Sequence, residues 1–532
     1  MDDLILKYVL YNSVKYDKID INSILGKIIA ERPEVKKDIK IVIKRIKDKI
    51  KEVSKLSLEE KEDMLKEYEF EKKEDTKKEL ELPNVNGKIV MRFAPNPNGA
   101  TTIGHSRQAL LNSYFCDKYN GNFILRFDDT DAKVKTPLKE SYKWIEEDLK
   151  WLGIKINKVV RQSSRFDIYY KYAERLIKNN YAYVCECKDF KKYVDKKEEC
   201  PCRNLKDQLK RWKNMFSKYK EGDAVLRIKT DINHKNPAIR DWPAFRIIDK
   251  SKHPFKKAKV WPLLNFASAI DDYEFKISHI VRGIDLKISD ERQGYIYKYF
   301  GWKYPETVYT GKLLFKGFKS TTEVKKLIDS KELDGWNDTR LGTLMALKRR
   351  GFKPEAIRTF ILGMGLNRND VHVDISKIES FNRDIIDRDS NRYFVVFDPK
   401  KIKINSPDME VRVHLHPDSE KGFRNFSCGQ EFYVQDKLEK NKLYRFMHLF
   451  NFKNNLYLGK KLDKEAKLIH WLPVSNLVNV EVLMDDGSVR KGLGETGLDK
   501  VKVGGTIQAE RNFFMILEKK EKNKLFFVYS HR

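Results

Sequence analysis

Hydrophobic positions fall along this chain in three rhythms, and each change of rhythm marks a change of organisation. Over residues 1–86, Leu, Ile and Val recur at helical spacing among dense charge, as in Val42-Ile-Lys-Arg-Ile-Lys-Asp-Lys-Ile50. Gly and Pro are scarce between Glu52 and Leu82, so the segment is expected to be a helical extension. Pro83-Asn-Val-Asn-Gly87 then reads as a linker. From residue 87 to 184, short β-branched runs alternate with amphipathic stretches. Lys88–Phe93 reads as a buried strand; Ser106–Phe115, Leu138–Leu152 (stopped by Gly153) and Arg165–Ile177 read as helices. Such alternation predicts a parallel α/β sheet. Residues 185–258 interrupt it with cysteines and a basic stretch. Residues 259–318 resume it, with Phe275–Arg282 as a strand ending at Gly283, and residues 319–390 are helical again. From 391 to 532 the texture becomes short alternating strands, such as Tyr393–Phe397 and Val411–Leu415. Turn signals at Asp485-Asp-Gly487 and Val503-Gly-Gly505 separate later ones, an all-β pattern expected to form barrels. No internal repeat of fixed period is present.

Length and composition narrow this picture. A chain of 532 residues is too long for one ordinary core and predicts several domains. Lys and Arg outnumber Asp and Glu by 107 to 78, a net charge of +29 that suits a polyanionic partner. A Lys-rich composition raises that excess by itself, so charge alone does not identify the partner. No apolar run reaches 18 residues, so no transmembrane helix is expected. The N-terminus begins Met1-Asp-Asp and lacks the basic start of a signal peptide. With six cysteines, four of them clustered, the expected setting is the reducing cytoplasm.

Two segments carry chemistry. The strand ending in Arg92-Phe93 breaks into Ala94-Pro-Asn-Pro-Asn-Gly-Ala-Thr-Thr-Ile-Gly-His105, and a helix follows. A Gly-bearing loop between a strand and a helix N-terminus offers free backbone N–H groups to a phosphate. The spacing is neither Walker A nor the dinucleotide Gly-x-Gly-x-x-Gly. The second segment is Cys185-Glu-Cys187 and Cys200-Pro-Cys202. Four soft ligands on a short excursion suit a closed tetrahedral Zn²⁺ site of structural type. Two disulfides are the alternative, which a reducing compartment disfavours.

Arg92 to His105 resembles the HIGH signature of class I aminoacyl-tRNA synthetases, specifically the archaeal glutamyl-tRNA synthetase type. Arg126-Phe-Asp-Asp-Thr-Asp131, His279-Ile-Val-Arg-Gly283 and Gly335 to Ile357 resemble further motifs of that family. The resemblance implies a Rossmann-like catalytic domain in two halves, 87–184 and 259–318. Between them, 185–258 would be an acceptor-stem insertion with a zinc knuckle. A helical connective domain (319–390) and an anticodon-binding β-barrel region (391–532) would follow. It implies ATP-dependent activation of glutamate with Mg²⁺, then glutamyl transfer to the 3′ end of tRNA(Glu), with tRNA(Gln) open as a second acceptor. A glutaminyl enzyme and a catalytically impaired tRNA-binding paralogue are the alternatives. A cytoplasmic monomer without membrane association is expected.

Residue by residue, the resemblance assigns ATP binding to Pro95, Asn96, Pro97, Gly99, Thr102, Gly104 and His105. Thr102, Gly104, His105 and Lys319 are the catalytic candidates. Arg92 and Arg282 would read the substrate γ-carboxylate with bidentate forks. Asp128 would hold the α-ammonium group; Asp129 and Asp131 read equally well as loop caps. Leu264 and Ser268 lie in the stretch lining the amino-acid pocket, although relatives usually carry Tyr where this chain has Leu264. The KMSKS-like loop falls in Leu314–Val324, where Glu323 takes a lysine's expected place. A carboxylate facing ATP phosphates would repel them, so Lys316 or Lys319 must supply the charge. Lys348, Arg349 and Arg350 form a basic face expected to meet the tRNA backbone.

Overall fold

A computed structural model describes residues 1–15, 21–68, 79–417 and 421–532. The chain divides into two compact units, Met1–Glu79 and Leu80–Arg532.

The first unit holds helices Asp2–Lys15, Ile21–Glu31, Ile39–Val53 and Leu58–Lys66. On the third, Val42, Ile46 and Val53 lie four and seven residues apart, on one face. They bury against Ile5, Val9, Ile24 and Ile28. The last helix begins at a capping box between Ser57 and Glu60. Residues 69–78, part of the expected helical stretch, lie outside the described residues, and residues 79–89 carry neither helix nor strand.

In the second unit, strands Val90–Phe93, Asn122–Phe127 and Lys158–Arg161 form a parallel sheet. His279–Gly283 and Glu306–Thr310 form a second parallel pair. The Ser278 N–H donates to the Val90 carbonyl (2.9 Å), which sets this pair beside the first strand. The helix Ile103–Lys118 crosses the junction. Its buried Asn112 gives and takes a hydrogen bond with the Val281 backbone (2.9 and 3.1 Å), completing strand pairing with a side chain. Phe275 to Ser278, expected as strand, instead close the preceding helix, Leu264–Glu274, through Lys276 at φ 54°. The run Asp271-Asp272-Tyr273-Glu274-Phe275 reads alternately apolar only at its end, which disguised the helix terminus.

The interruption folds as an antiparallel sheet of Ala182–Cys185, Val225–Ile228, Pro243–Ile247 and Val260–Pro262, in that order. Trp212, Trp242, Trp261 and Phe245 fill its core. Helices Thr321–Asp329, Leu344–Arg349, Pro354–Gly363 and Ser376–Ile386 follow, with a short parallel pair, Leu313–Phe315 and Val371–Val373, among them. Arg350, expected at the surface, is buried (3 % exposed) and donates to the Ser530 carbonyl at 2.6 Å. Arg349 is bonded to Glu518 (2.6 and 3.1 Å), and of the three basic groups only Lys348 is exposed. Two of these cations therefore dock the helical region onto the β region.

That region has two cores. One lies in a seven-stranded sheet that begins with Asn391–Tyr393 and ends with Val395–Phe397. The stretch expected as one strand is thus two, separated by Phe394 and placed at opposite ends of the sheet, which curls on itself as a barrel does. The other core gathers Phe432, Phe446, Phe450 and Trp471. No helix among the described residues is long and apolar enough to cross a membrane.

Candidate active site

The phosphate-type loop starts where Val90–Phe93 leaves the sheet. Thr102 is the N-cap of the helix Ile103–Lys118, its hydroxyl accepting from the His105 N–H (3.4 Å). The loop is fastened to the helical region: the Ile103 N–H donates to Gly342 (3.0 Å), and the Leu344 N–H to Thr101 (2.8 Å). A cleft of about 240 Å³, counting its open mouth, is lined by Pro95, Asn96, Gly99, Thr101, His105 and Thr321 among others. Pro97 lies behind it, its carbonyl accepting from the Leu138 N–H (2.8 Å). The His105 side chain reaches solvent. Protein crowded around it, and then Lys135, lower its pKa, so it is a neutral donor or acceptor at pH 7.

The two loop glycines answer different demands. A Cβ on Gly99 would meet the Trp336 ring at 2.4 Å and Thr321 Cγ2 at 2.5 Å, so the fold itself requires glycine. A Cβ on Gly104 would meet nothing closer than 3.7 Å. Only a ligand approaching the backbone would need that space.

Across the sheet, four of the expected amino-acid readers enter one buried ionic cluster. Arg92 forks onto Asp272 (3.2 and 3.2 Å), and Arg126 bonds both Asp128 (2.7 and 3.2 Å) and Asp272 (2.5 Å). Ser268 bridges, accepting from Arg126 and donating to Asp128, each at 3.1 Å. Arg282 pairs with Asp290, which also accepts from Tyr309 (2.6 Å) and Tyr304 (3.0 Å). Burial alone would raise the Asp272 carboxyl, but Arg92 and then Arg126 hold it down to about 2. Leu264, by contrast, is 45 % exposed on the first turn of its helix and outside the cluster. Gln162 Oε1, Gln293 Nε2, Tyr297 OH and Arg282 Nε are buried there without a hydrogen-bond partner. Convergent unsatisfied polar atoms mark a place for a polar ligand.

Sequence reasoning quoted Arg126 in its motif without giving it a role, and passed over Asp272 and Asp290. The pair Asp271-Asp272 inside an apolar helix was the available signal, since carboxylates are rarely buried unless paired. Of the two loop carboxylates only Asp131 caps its own loop; Asp129 is a buried tie between distant segments, accepting from Tyr142 (2.7 Å) and from Ser163 N–H and hydroxyl (2.8 and 2.7 Å). Asp131 accepts from the Lys133 and Val134 N–H groups.

Glu323 does not face the cleft as a lysine's substitute. It is the third residue of the helix Thr321–Asp329 and completes a capping box with Ser320, accepting from its N–H (2.9 Å) and hydroxyl (2.6 Å). Ser320-Thr-Thr-Glu323 is the Ser-x-x-Glu signature, legible without a structure. Lys316 and Lys319 are exposed on the preceding turn.

In the insertion, the sulfurs of Cys185, Cys187, Cys200 and Cys202 all lie within 4.8 Å of one another. Measured pairs are 3.5, 3.3 and 3.8 Å apart, far beyond a disulfide of about 2.05 Å. A tetrahedral metal with sulfur at about 2.3 Å needs edges of about 3.8 Å, so this donor set can hold a metal ion.

A parallel sheet, a glycine-bearing loop at a helix N-terminus and a buried arginine–carboxylate cluster accord with a class I aminoacyl-tRNA synthetase, and this chain belongs to the glutamate and glutamine branch of that class. The model for tRNA synthetases class I (E and Q), catalytic domain, matches residues 88–388, and that for the anti-codon binding domain matches 390–469. Among relatives, the glutamate–tRNA ligase of Methanocaldococcus jannaschii is 42 % identical over 557 residues, covering all of both chains. Those of Pyrococcus furiosus and Archaeoglobus fulgidus are each 42 % identical, also end to end.

Proposed function

We propose that this protein ligates glutamate to tRNA(Glu) in two steps. An oxygen of the glutamate α-carboxylate attacks the α-phosphorus of ATP and pyrophosphate leaves. A hydroxyl of the terminal tRNA ribose then attacks the glutamyl carbonyl and AMP leaves. The observation that carries this reading is the buried Arg92–Asp272–Arg126 and Arg282–Asp290 cluster in a chain whose end-to-end relatives are glutamate–tRNA ligases.

In this reading Arg282, with its unpaired Nε, and Arg92 receive the γ-carboxylate, while Asp128 and Ser268 hold the α-ammonium group. Leu264, exposed and outside the cluster, offers the substrate no hydrogen bond. Pro95, Asn96, Pro97 and Gly99 shape the nucleotide cleft, and the Gly104 backbone approaches the phosphates. Thr102 aims the helix N-terminus at them, and neutral His105 donates as charge develops. Exposed Lys316 and Lys319 supply positive charge from the facing turn. Catalysis is then positioning and charge stabilisation, with no enzyme nucleophile. The residues lining the cleft include no carboxylate, so Mg²⁺ would enter bound to the triphosphate and neutralise pyrophosphate. The four cysteines would hold Zn²⁺, tying the strand Ala182–Cys185 to the Cys200–Cys202 turn of an insertion that meets the acceptor stem. The β region would meet the anticodon. Thr102 and Glu323 both cap helices, so neither departure argues for lost chemistry.

Glutamate-dependent ATP–pyrophosphate exchange, run with and without tRNA(Glu) and with glutamine in parallel, tests the proposal. Exchange with glutamate only, abolished in Arg282→Ala while tRNA affinity is kept, is expected. No exchange with either amino acid would sink it.

A further inference from the structure

The β region meets the anticodon in the reading above with no residue assigned to that task, and one face of the region is built for such contact. Strands Met409–His414 and Phe423–Cys428 pair antiparallel, with His414 opposite Phe423 and Arg412 opposite Asn425. Alternation buries Val413, Arg424, Phe426 and Cys428 on the inner side. There Arg424 bonds Glu495 (2.6 Å) and Glu510, so the ribbon is held from behind by a buried ionic anchor as well as an apolar core. The other side presents Glu410 and Ser427 at one end and then Arg412, His414, Phe423 and Asn425, all exposed.

The last four are organised. Phe423 leaves 43 % of its surface open, and the Arg412 guanidinium carbon lies 3.5 Å from its ring centroid. The His414 ring is 4.4 Å away, tilted by 46°. The side chains of Arg412, His414 and Asn425 make no hydrogen bond or ion pair among the described residues. A flat guanidinium stacked on an aromatic ring is thus pre-set with its N–H donors unspent. An amide two residues from the ring, on the same face, adds a donor and an acceptor.

An unpaired nucleobase matches this chemistry best: it offers a π face to stack and polar edges to read, next to a phosphate for the cation. An apolar partner would find a single exposed ring among polar groups. The ribbon also falls within the anti-codon binding match at 390–469, on a chain of charge +29. We propose that the outward face of this ribbon is a stacking platform for one unpaired base of the tRNA anticodon loop. The base lies on the Arg412–Phe423 stack, and Asn425 meets its edge. This rests on the reading of the chain as a tRNA ligase.

The test uses the full chain carrying Phe423→Ala, Arg412→Ala or the conservative Phe423→Tyr, with a tRNA(Glu) transcript and an acceptor-arm minihelix. Because the side chains are exposed, thermal unfolding should be unchanged. Phe423→Ala should weaken binding of the full transcript about 5- to 150-fold. Arg412→Ala should also weaken it, with a shallower salt dependence. Phe423→Tyr should bind like the parent, and minihelix affinity should not move. The platform is overturned if Phe423→Ala binds the full transcript within twofold of the parent, or if its loss is equal on the minihelix. A parent protein that binds no tRNA(Glu) would instead overturn the ligase reading itself.

Discussion

Replacing Gly99 and Gly104 in turn by alanine separates a glycine the fold needs from one the ligand needs. At Gly99 the new methyl would lie 2.4 Å from Trp336 Cη2 and 2.5 Å from Thr321 Cγ2, where contacts of 3.4 Å and beyond are ordinary. Trp336 cannot swing away freely. It is buried, its carbonyl accepts from the Thr343 hydroxyl (2.6 Å), and its ring packs against Trp144. Relief therefore needs a shift of about 1 Å between the loop and the helix Thr321–Asp329, and overpacking of this kind costs about 1–3 kcal/mol. A misplacement of about 1 Å at a reacting site can lower rate by about 100-fold. Gly99→Ala should thus lower both the urea midpoint and kcat/KM for ATP, and adding Trp336→Phe, which removes the Trp atoms but leaves Thr321 Cγ2, should restore part of each. At Gly104 the methyl meets only ordinary contacts at 3.7 Å, and alanine favours a helix by about 1 kcal/mol. Gly104→Ala should be as stable as the parent or more so, yet raise KM for ATP. Denaturant titration and ATP–pyrophosphate exchange on the same preparations read both effects. Unchanged unfolding and activity in Gly99→Ala would refute the steric argument; an unchanged KM in Gly104→Ala would refute the close approach of phosphate.

Other outcomes follow from the same geometry. Asp148, buried near Thr101, has its carboxyl raised to about 7 by burial, and its Oδ2 has no hydrogen-bond partner. The folded state therefore holds a proton there that the unfolded chain releases near pH 4, so this group's contribution to stability falls as pH rises from about 4 to 7. Asp148→Asn should flatten that slope and raise the thermal midpoint at pH 8; a steeper slope would contradict it. Asp272 works in the opposite sense: its contribution is present above about pH 4 and is lost as pH falls toward 2, so Asp272→Asn should lose stability at neutral pH by about 3–5 kcal/mol in urea titration. If Glu323 is a cap, Glu323→Gln should keep activity, whereas Glu323→Lys, which restores the expected lysine, should lower it; a gain in exchange rate with Lys would show the cap to be incidental. Metal analysis should find about one Zn²⁺ per chain, lost in Cys200→Ser/Cys202→Ser.

What the sequence determined by itself is local. The Pro- and Gly-bearing loop after Val90–Phe93, the helix that follows it (read from Ser106, beginning at Ile103), the paired Cys-x-Cys elements and the alternation of strand with helix are written in neighbouring residues. Turn chemistry, capping and periodicity act over a few positions, so these features can be read without knowing what lies across the fold. Ser320-Thr-Thr-Glu323 belonged to the same class, and the expectation of a phosphate-facing loop masked it. The split of Tyr393–Phe397 and the buried place of Arg350 were not legible, because sheet order and burial are set by partners 95 or more residues away. The buried arginine–carboxylate cluster is the clearest case. Arg92 and Arg282 stand out through their resemblance to family motifs, but Asp272 meets Arg92 across 180 residues of chain. Only tertiary packing brings a carboxylate to each arginine, because a buried guanidinium is tolerable when a partner replaces the water it has lost.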